Sequence, residues 1–335
     1  MIIIVNILIA NEQGAAKDSF LPPEVLAEYY RLGTVTENPH DRNLTKSEFK
    51  ELIKDKDVVV TGWGCEPIDI EILENANRLK LHAHVGGSVA AYTSKEAFER
   101  GITVLSGNEI FARSVAEGCI TYFLFALRNI NIYIDSMKKD GWAPEYKHMY
   151  DGLSYKKIGL VGYGAITKYL CELLRVFKVE ILIYSAHEVS EEDVKQASLE
   201  EIFETCDIIS LHSAWNKKTE GMITKKHLSL IKNDALFVNT ARAHIVKKED
   251  LYEELSKERF YSVFDVYYEE PLPLNDPIRN MEKVMLMPHS AGPTLDSRKI
   301  VGSELLDDIK RFFDGKPCIN QITPERASRM TIEKR

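Results

Sequence analysis

Three side chains, each just beyond a short apolar run, are of the types that reduction of a 2-keto acid requires. Arg242 follows residues 235–239 by way of Thr240-Ala241, a glutamate of the pair Glu269-Glu270 follows residues 261–266, and His289 follows residues 284–287. A guanidinium grips a carboxylate through two parallel hydrogen bonds. An imidazole hands a proton to a carbonyl oxygen as it becomes an alkoxide. A buried glutamate beside that imidazole would orient the ring and raise its pKa. Singly, each has a plainer reading: a surface cation, a solvated acidic loop, a packed histidine. Their recurrence at successive run ends is what points to a site.

A second pattern supplies a cofactor. Lys157-Ile158-Gly159-Leu160-Val161-Gly162-Tyr163-Gly164-Ala165-Ile166-Thr167 reads as a strand, a glycine turn and a helix start. Gly162 permits the tight turn, and Gly164 lets a diphosphate approach bare backbone. The helix opening at Ala165 then offers unpaired N–H groups to that diphosphate. Thr167 stands where a third glycine normally lets helix and strand pack, so a slight displacement is expected. About twenty residues on, where NAD would call for a carboxylate, the chain has Ser185, with His187 close behind. A hydroxyl and an imidazole lean toward the extra phosphate of NADP, while Glu188 argues for NAD, so both cofactors stay open.

Positioning these groups takes parallel strands whose carboxyl ends share one edge. Short β-rich runs alternate with helical stretches almost throughout, at residues 2–9, 57–61, 79–85 and 102–105, then 157–161, 179–184, 207–211, 235–239, 261–266 and 284–287. Between the two series, residues 109–139 contain no proline and only Gly118, and read as one long helix with room for a kink. It leads into the polar loop Asp140-Gly141-Trp142-Ala143-Pro144. A last helix is expected over 296–313. The division that follows is a substrate domain over 1–107, a dinucleotide domain over 108–290, and a return to the substrate domain over 291–335.

Composition bounds the rest. The net charge of -8 argues against a nucleic-acid partner and means that an anionic substrate needs its own local cation. Five scattered cysteines without CxxC spacing suit reduced thiols and a cytoplasmic location, and suggest neither disulfides nor a metal centre. No apolar run is expected to span a bilayer. His82 and His84 share one face of a strand, but two ligands without companions rarely make a metal site, so they read as packing or cleft-wall residues. Tyr267-Tyr268 and Trp142 read as contact surface, and Lys247-Lys248 as a solvated helix start.

On residues 158–166, 211–219, 238–242, 265–271 and 288–294, the chain resembles the D-isomer-specific 2-hydroxyacid dehydrogenases. The resemblance implies α/β architecture in two doubly wound, mostly parallel domains, a Rossmann-type cofactor domain inserted into a flavodoxin-like substrate domain. It implies catalysis by Arg242, Glu270 and His289. It places the cofactor along Gly162, Tyr163, Gly164, Ala165 and Ile166, then Ser185, His187, Ser213, Ala214, Thr219, Thr240, Ala241, Arg242, Asp265 and His289, with Asp265 meeting the nicotinamide carboxamide. It places the substrate carboxylate on the backbone of Gly86, Gly87 and Ser88, with Arg242 and His289, and it implies a homodimer acting on a small 2-hydroxy or 2-keto acid. Thr167, Ser185, Ala214 and Ala243 depart from the family pattern, which touches cofactor and substrate choice and leaves the catalytic trio intact. The rival readings are a dinucleotide-binding sensor or corepressor, which would not need that trio, and a formate or phosphite dehydrogenase, for which the segment around His289 gives no support.

Overall fold

The computed structural model describes residues 5–139, 142 and 151–332. The chain divides into two compact units, Met1–Phe111 with Pro293–Arg335, and Ala112–Gly292. The division falls inside the helix Asn108–Leu127.

The first unit holds a five-stranded parallel sheet of β1 (Val5–Ile9), β2 (Gly33–Glu37), β3 (Val58–Thr61), β4 (Leu81–His84) and β5 (Thr103–Ser106) in the order 2-1-3-4-5. Strands β3 and β4 are buried at every position, as an inner strand covered on both faces must be. Strand β2, an edge strand of half-exposed residues, lacks the apolar run that reveals the others.

The second unit holds β6 (Lys157–Val161), β7 (Glu180–Tyr184), β8 (Val194–Gln196), β9 (Ile208–Leu211), β10 (Leu236–Asn239), β11 (Tyr261–Phe264) and β12 (Val284–Leu286) in the order 12-11-10-9-6-7-8. All pairings are parallel. Strand order reverses between β6 and β9, the switch point at which open α/β sheets receive ligands beyond the strands' carboxyl ends.

The expected long helix is two helices, Asn108–Leu127 and Ile130–Lys138. They separate at Asn129, whose φ of 48° lies in the left-handed region that ends a helix. By length and composition alone the first could cross a membrane, contrary to the expectation that no run is long enough. It instead buries Ala116, Cys119, Phe123 and Ala126 in the core formed with Ile158, Leu160 and Leu170. Full burial of a side chain such as Phe123 stabilises the fold by about 1.5–3 kcal/mol. The loop expected at Asp140-Gly141-Trp142-Ala143-Pro144 lies outside the described residues except for Trp142, which is exposed.

Candidate active site

In the second unit, β6 runs into Gly162 at φ 110°, a conformation that side chains resist. A Cβ there would also fall 2.6 Å from the Ser213 amide nitrogen, so the turn crosses directly over the segment leaving β9. Gly164 is exposed, and a Cβ on it would meet nothing within 4 Å. Packing therefore does not demand glycine at 164, whereas a ligand lying on the backbone would. The helix Ala165–Arg175 begins immediately after it. Thr167 displaces nothing: it is buried, and its hydroxyl donates to the Gly162 carbonyl at 2.7 Å, bracing the turn. Tyr163 donates to Glu191 at 3.1 Å and so ties the turn to the loop after β7.

That loop carries Ser185 and His187. The Ser185 hydroxyl accepts from the His187 amide at 3.0 Å, and Gln196 on β8 donates to both residues' carbonyls at 3.1 Å. Beyond β9, Thr219 donates to the Ala214 carbonyl at 2.6 Å and accepts from the Asn216 amide at 3.0 Å, which closes the turn containing Ser213 and Ala214. Asn239, buried at the end of β10, accepts from the Ala241 amide and donates to the Arg242 carbonyl, each at 3.0 Å. It thereby shapes Thr240-Ala241-Arg242, a role that residue type alone did not announce.

Strands β10, β11 and β12 are neighbours, so Arg242, Glu270 and His289 all leave one edge of one sheet. His289 Nδ1 lies 2.7 Å from Glu270 Oε2, and the Tyr267 amide donates to Glu270 Oε1 at 3.0 Å. The glutamate is thus held at both oxygens. It is not buried as expected, since its side chain is 37% exposed and that of His289 19%. His289 adopts a φ of 55°, unusual for a residue with a Cβ. Asp265 explains how this is sustained. Its buried carboxylate accepts from the amides of Ser290 at 2.7 Å and Ala291 at 2.9 Å, and from the Tyr122 hydroxyl at 3.0 Å. Burial and the Asp265 charge raise the Tyr122 phenol above its ordinary range, so it remains a donor. A carboxylate has about four acceptor sites, which leaves Asp265 capacity for one more partner. Tyr267 and Tyr268 are not contact surface. They pack against the unit's core, and their hydroxyls donate to the carbonyls of Met287 at 2.8 Å and Val246 at 2.7 Å. The cavity lined by Asp207, Lys232, Asp234 and Tyr261 lies at the opposite, amino end of this sheet, and its acids are paired, Asp207 with Lys232 at 3.0 Å and Asp234 with Lys283 at 2.7 Å.

In the first unit, Ser106 at the end of β5 is buried, and its hydroxyl lies 3.1 Å from the Gly86 carbonyl and 2.5 Å from that of Gly87. It also accepts from the Asn108 amide at 3.1 Å. Across a trans peptide the N–H points opposite to the C=O. Turning these carbonyls toward Ser106 aims the Gly87 and Ser88 amides away from it, and neither donates a hydrogen bond among the described residues. Two successive free amides form a concavity suited to an anion.

Behind this loop, the Thr61 hydroxyl bonds His82 Nε2 at 2.7 Å and His84 Nδ1 at 2.9 Å, and Thr93 bonds His82 Nδ1 at 2.8 Å. Both rings are fully buried. Burial pushes His82 down to about 3 and His84 well below its usual range, so both are neutral packing residues. Among the described residues no group of three or more His, Cys, Asp or Glu could hold a metal ion.

A sequence model described as "D-isomer specific 2-hydroxyacid dehydrogenase, NAD binding domain" matches residues 120–291, half of the chain. The chain belongs to this family. Among relatives, D-3-phosphoglycerate dehydrogenase of Methanocaldococcus jannaschii is 29% identical across 83% of this chain and 54% of its own. This chain therefore spans about half the length of that relative. Glyoxylate reductase of Korarchaeum cryptofilum is 28% identical across 84% of this chain and 87% of its own, and hydroxypyruvate reductase of Thermotoga maritima 29% across 80% and 88%. Of solved structures, an acyclic imino acid reductase in complex with NADPH and D-Arg covers 95% of this chain and 100% of that one, at 23% identity and a TM-score of 0.81. An NAD-dependent formate dehydrogenase from Staphylococcus aureus in complex with NAD covers 96% and 99%, at 24% identity and a TM-score of 0.70. At these identities the structures establish a shared fold, which agrees with the two parallel-sheet units and the dinucleotide-type strand order of this family member.

Proposed function

We propose that the chain is an NAD(P)-dependent D-2-hydroxyacid dehydrogenase that interconverts a small 2-keto acid and its 2-hydroxy acid. The observation that carries this reading is the pairing of His289 Nδ1 with Glu270 Oε2 at 2.7 Å, on the sheet edge that also presents Arg242. Pairing at Nδ1 leaves Nε2 as the atom that donates a proton to the keto oxygen, or removes one from the hydroxy acid in reverse. Arg242 holds the substrate carboxylate and polarises the reacting oxygen. The Gly87 and Ser88 amides are the proposed second receptor for the carboxylate.

The residues around the glycine turn suit a dinucleotide: Gly164 leaves open backbone at a helix start, and Thr167 and Ser213 brace the turn from behind. When bound, the nicotinamide supplies or accepts the hydride. Asp265 retains an acceptor site for the carboxamide, and Ser185 with His187, held by Gln196, favours NADP over NAD. The names of the relatives, glyoxylate and hydroxypyruvate reductase, support a small 2-keto acid. Exposed Ile130, Ile134 and Met137 recur along one helix, which supports a homodimer. Five free cysteines support a cytoplasmic location.

The test is loss of reduced-nicotinamide absorbance with NADH and NADPH offered separately against a panel of 2-keto acids. Oxidation with at least one panel member, faster with NADPH, is expected. Tight cofactor binding with no turnover across the panel would overturn the reading in favour of a dinucleotide sensor.

A further inference from the structure

We propose that Arg298 anchors a second anionic group on the substrate, so that the 2-keto acid taken by this chain carries a distal carboxylate or phosphate. The inference rests on the reading that the Gly87 and Ser88 amides receive the 2-carboxylate. It concerns what lies beside them within the same unit.

Arg298 sits in the first turn of the helix Leu295–Phe313 and is half-buried. Its guanidinium lies 5.4 Å from the ring centre of Trp63 and 5.7 Å from that of Phe20. Stacking on aromatic faces stabilises a cation but leaves the donors along its edge unused. The one polar contact of this side chain is Nη1 to the Ser19 hydroxyl at a long 3.4 Å, and its buried Nε has no partner among the described residues. Other sequestered cations of the chain have carboxylates: Lys17 has Glu37 at 2.6 Å, and Arg259 has Glu254 at 3.1 Å. A half-buried cation without a counter-ion is costly unless something supplies one. In a chain of net charge -8, it is also the local cation that an anionic ligand needs.

The aromatic cradle joins this guanidinium to the amide loop. The indole Nε1 of Trp63 would lie 3.0 Å from a Cβ at Gly86, and Phe111 would lie 3.8 Å from one at Gly87. Trp63 and Phe111 stack at 6.3 Å, and Phe20 meets the Trp63 ring edge-on at 5.3 Å. Trp63 follows β3, Gly86 follows β4, and Phe111 lies just beyond β5, so all stand at the carboxyl end of one sheet, where ligands of such sheets bind. A substrate with its 2-carboxylate on the amides would extend its side chain along Trp63 toward the unused donors of Arg298.

The experiment compares kcat/KM for matched substrates with the preferred cofactor: 2-oxoglutarate against 2-oxopentanoate, and 3-phosphohydroxypyruvate against hydroxypyruvate. Wild type should favour the anionic member of at least one pair by about tenfold or more, and the favoured pair distinguishes carboxylate from phosphate. Arg298→Met should reduce that ratio to near one, mainly through KM, and Arg298→Lys should retain some of it. In parallel, calorimetry measures binding of glutarate and phosphoglycolate to both proteins without turnover. Arg298-dependent binding with no reduction of any 2-keto acid would defeat the dehydrogenase reading and leave the anion site standing. Turnover with ratios near one in wild type, or binding and ratios unchanged in Arg298→Met, would overturn the anion site and leave the dehydrogenase reading intact. If Arg298→Met fails to fold by circular dichroism, the wild-type ratios and Arg298→Lys decide.

Discussion

His289 and the pair His82–His84 all lie in or just beyond parallel strands, yet their surroundings assign them opposite work. His289 is partly exposed, stands in a left-handed conformation and faces a carboxylate. His82 and His84 are fully buried, belong to a regular strand and face hydroxyls. The first arrangement can carry a proton in and out. The second leaves both imidazoles neutral, with burial pushing His82 down to about 3. Residue type is shared, and exposure together with the partner's charge separates function from packing.

The largest effect should come from breaking the exposed pair. His289→Ala is expected to reduce kcat by about a thousandfold, and Glu270→Gln by about a hundredfold because the glutamine keeps a contact but loses the charge. Cofactor affinity, measured by fluorescence titration, should change far less than turnover in both. A His289→Ala variant within tenfold of wild type would remove the distinction between the two histidine environments.

The buried rings make a different prediction, read in stability. Their folded pKa values lie below the unfolded value, so the stability they permit is complete above about pH 6.5 and is lost as pH falls below it. His82, pushed down by burial to about 3, places its loss between pH 6.5 and pH 3. Keeping this ring neutral should cost about 2 kcal/mol at pH 5 relative to pH 7. Urea unfolding at the two pH values measures this, and His82→Asn should flatten the dependence. A profile that is flat in wild type would mean that these rings are not sequestered.

The smallest effect sharpens the contrast between the two sheets. In the second unit the site is made of charged side chains, whereas in the first it is proposed to be backbone aimed by Ser106. Ser106→Ala should raise KM for the 2-keto acid about tenfold with a lesser effect on kcat, and Ser106→Thr should restore it. Equal losses in KM and kcat, or no rescue by threonine, would make Ser106 a packing residue only.

The alternation of strands and helices and the glycine turn were legible in residue type, because strand burial and tight turns leave local signatures, whereas Glu270 was singled out from Glu269 only by resemblance to the family. The sequence by itself did not reveal the edge strands Gly33–Glu37 and Val194–Gln196, whose half-exposed residues need no apolar run. The break at Asn129 was also hidden, since a single left-handed residue suffices to interrupt a helix and Asn tolerates that conformation. Tertiary structure alone decided which atoms face one another. Asp265 reaches amides 25 and 26 residues away, Ser106 turns carbonyls 20 and 19 residues back, and Arg298 finds its ring 235 positions earlier at Trp63. Hydrogen bonds and ring contacts act over a few ångströms of space, and only folding converts those separations into proximity.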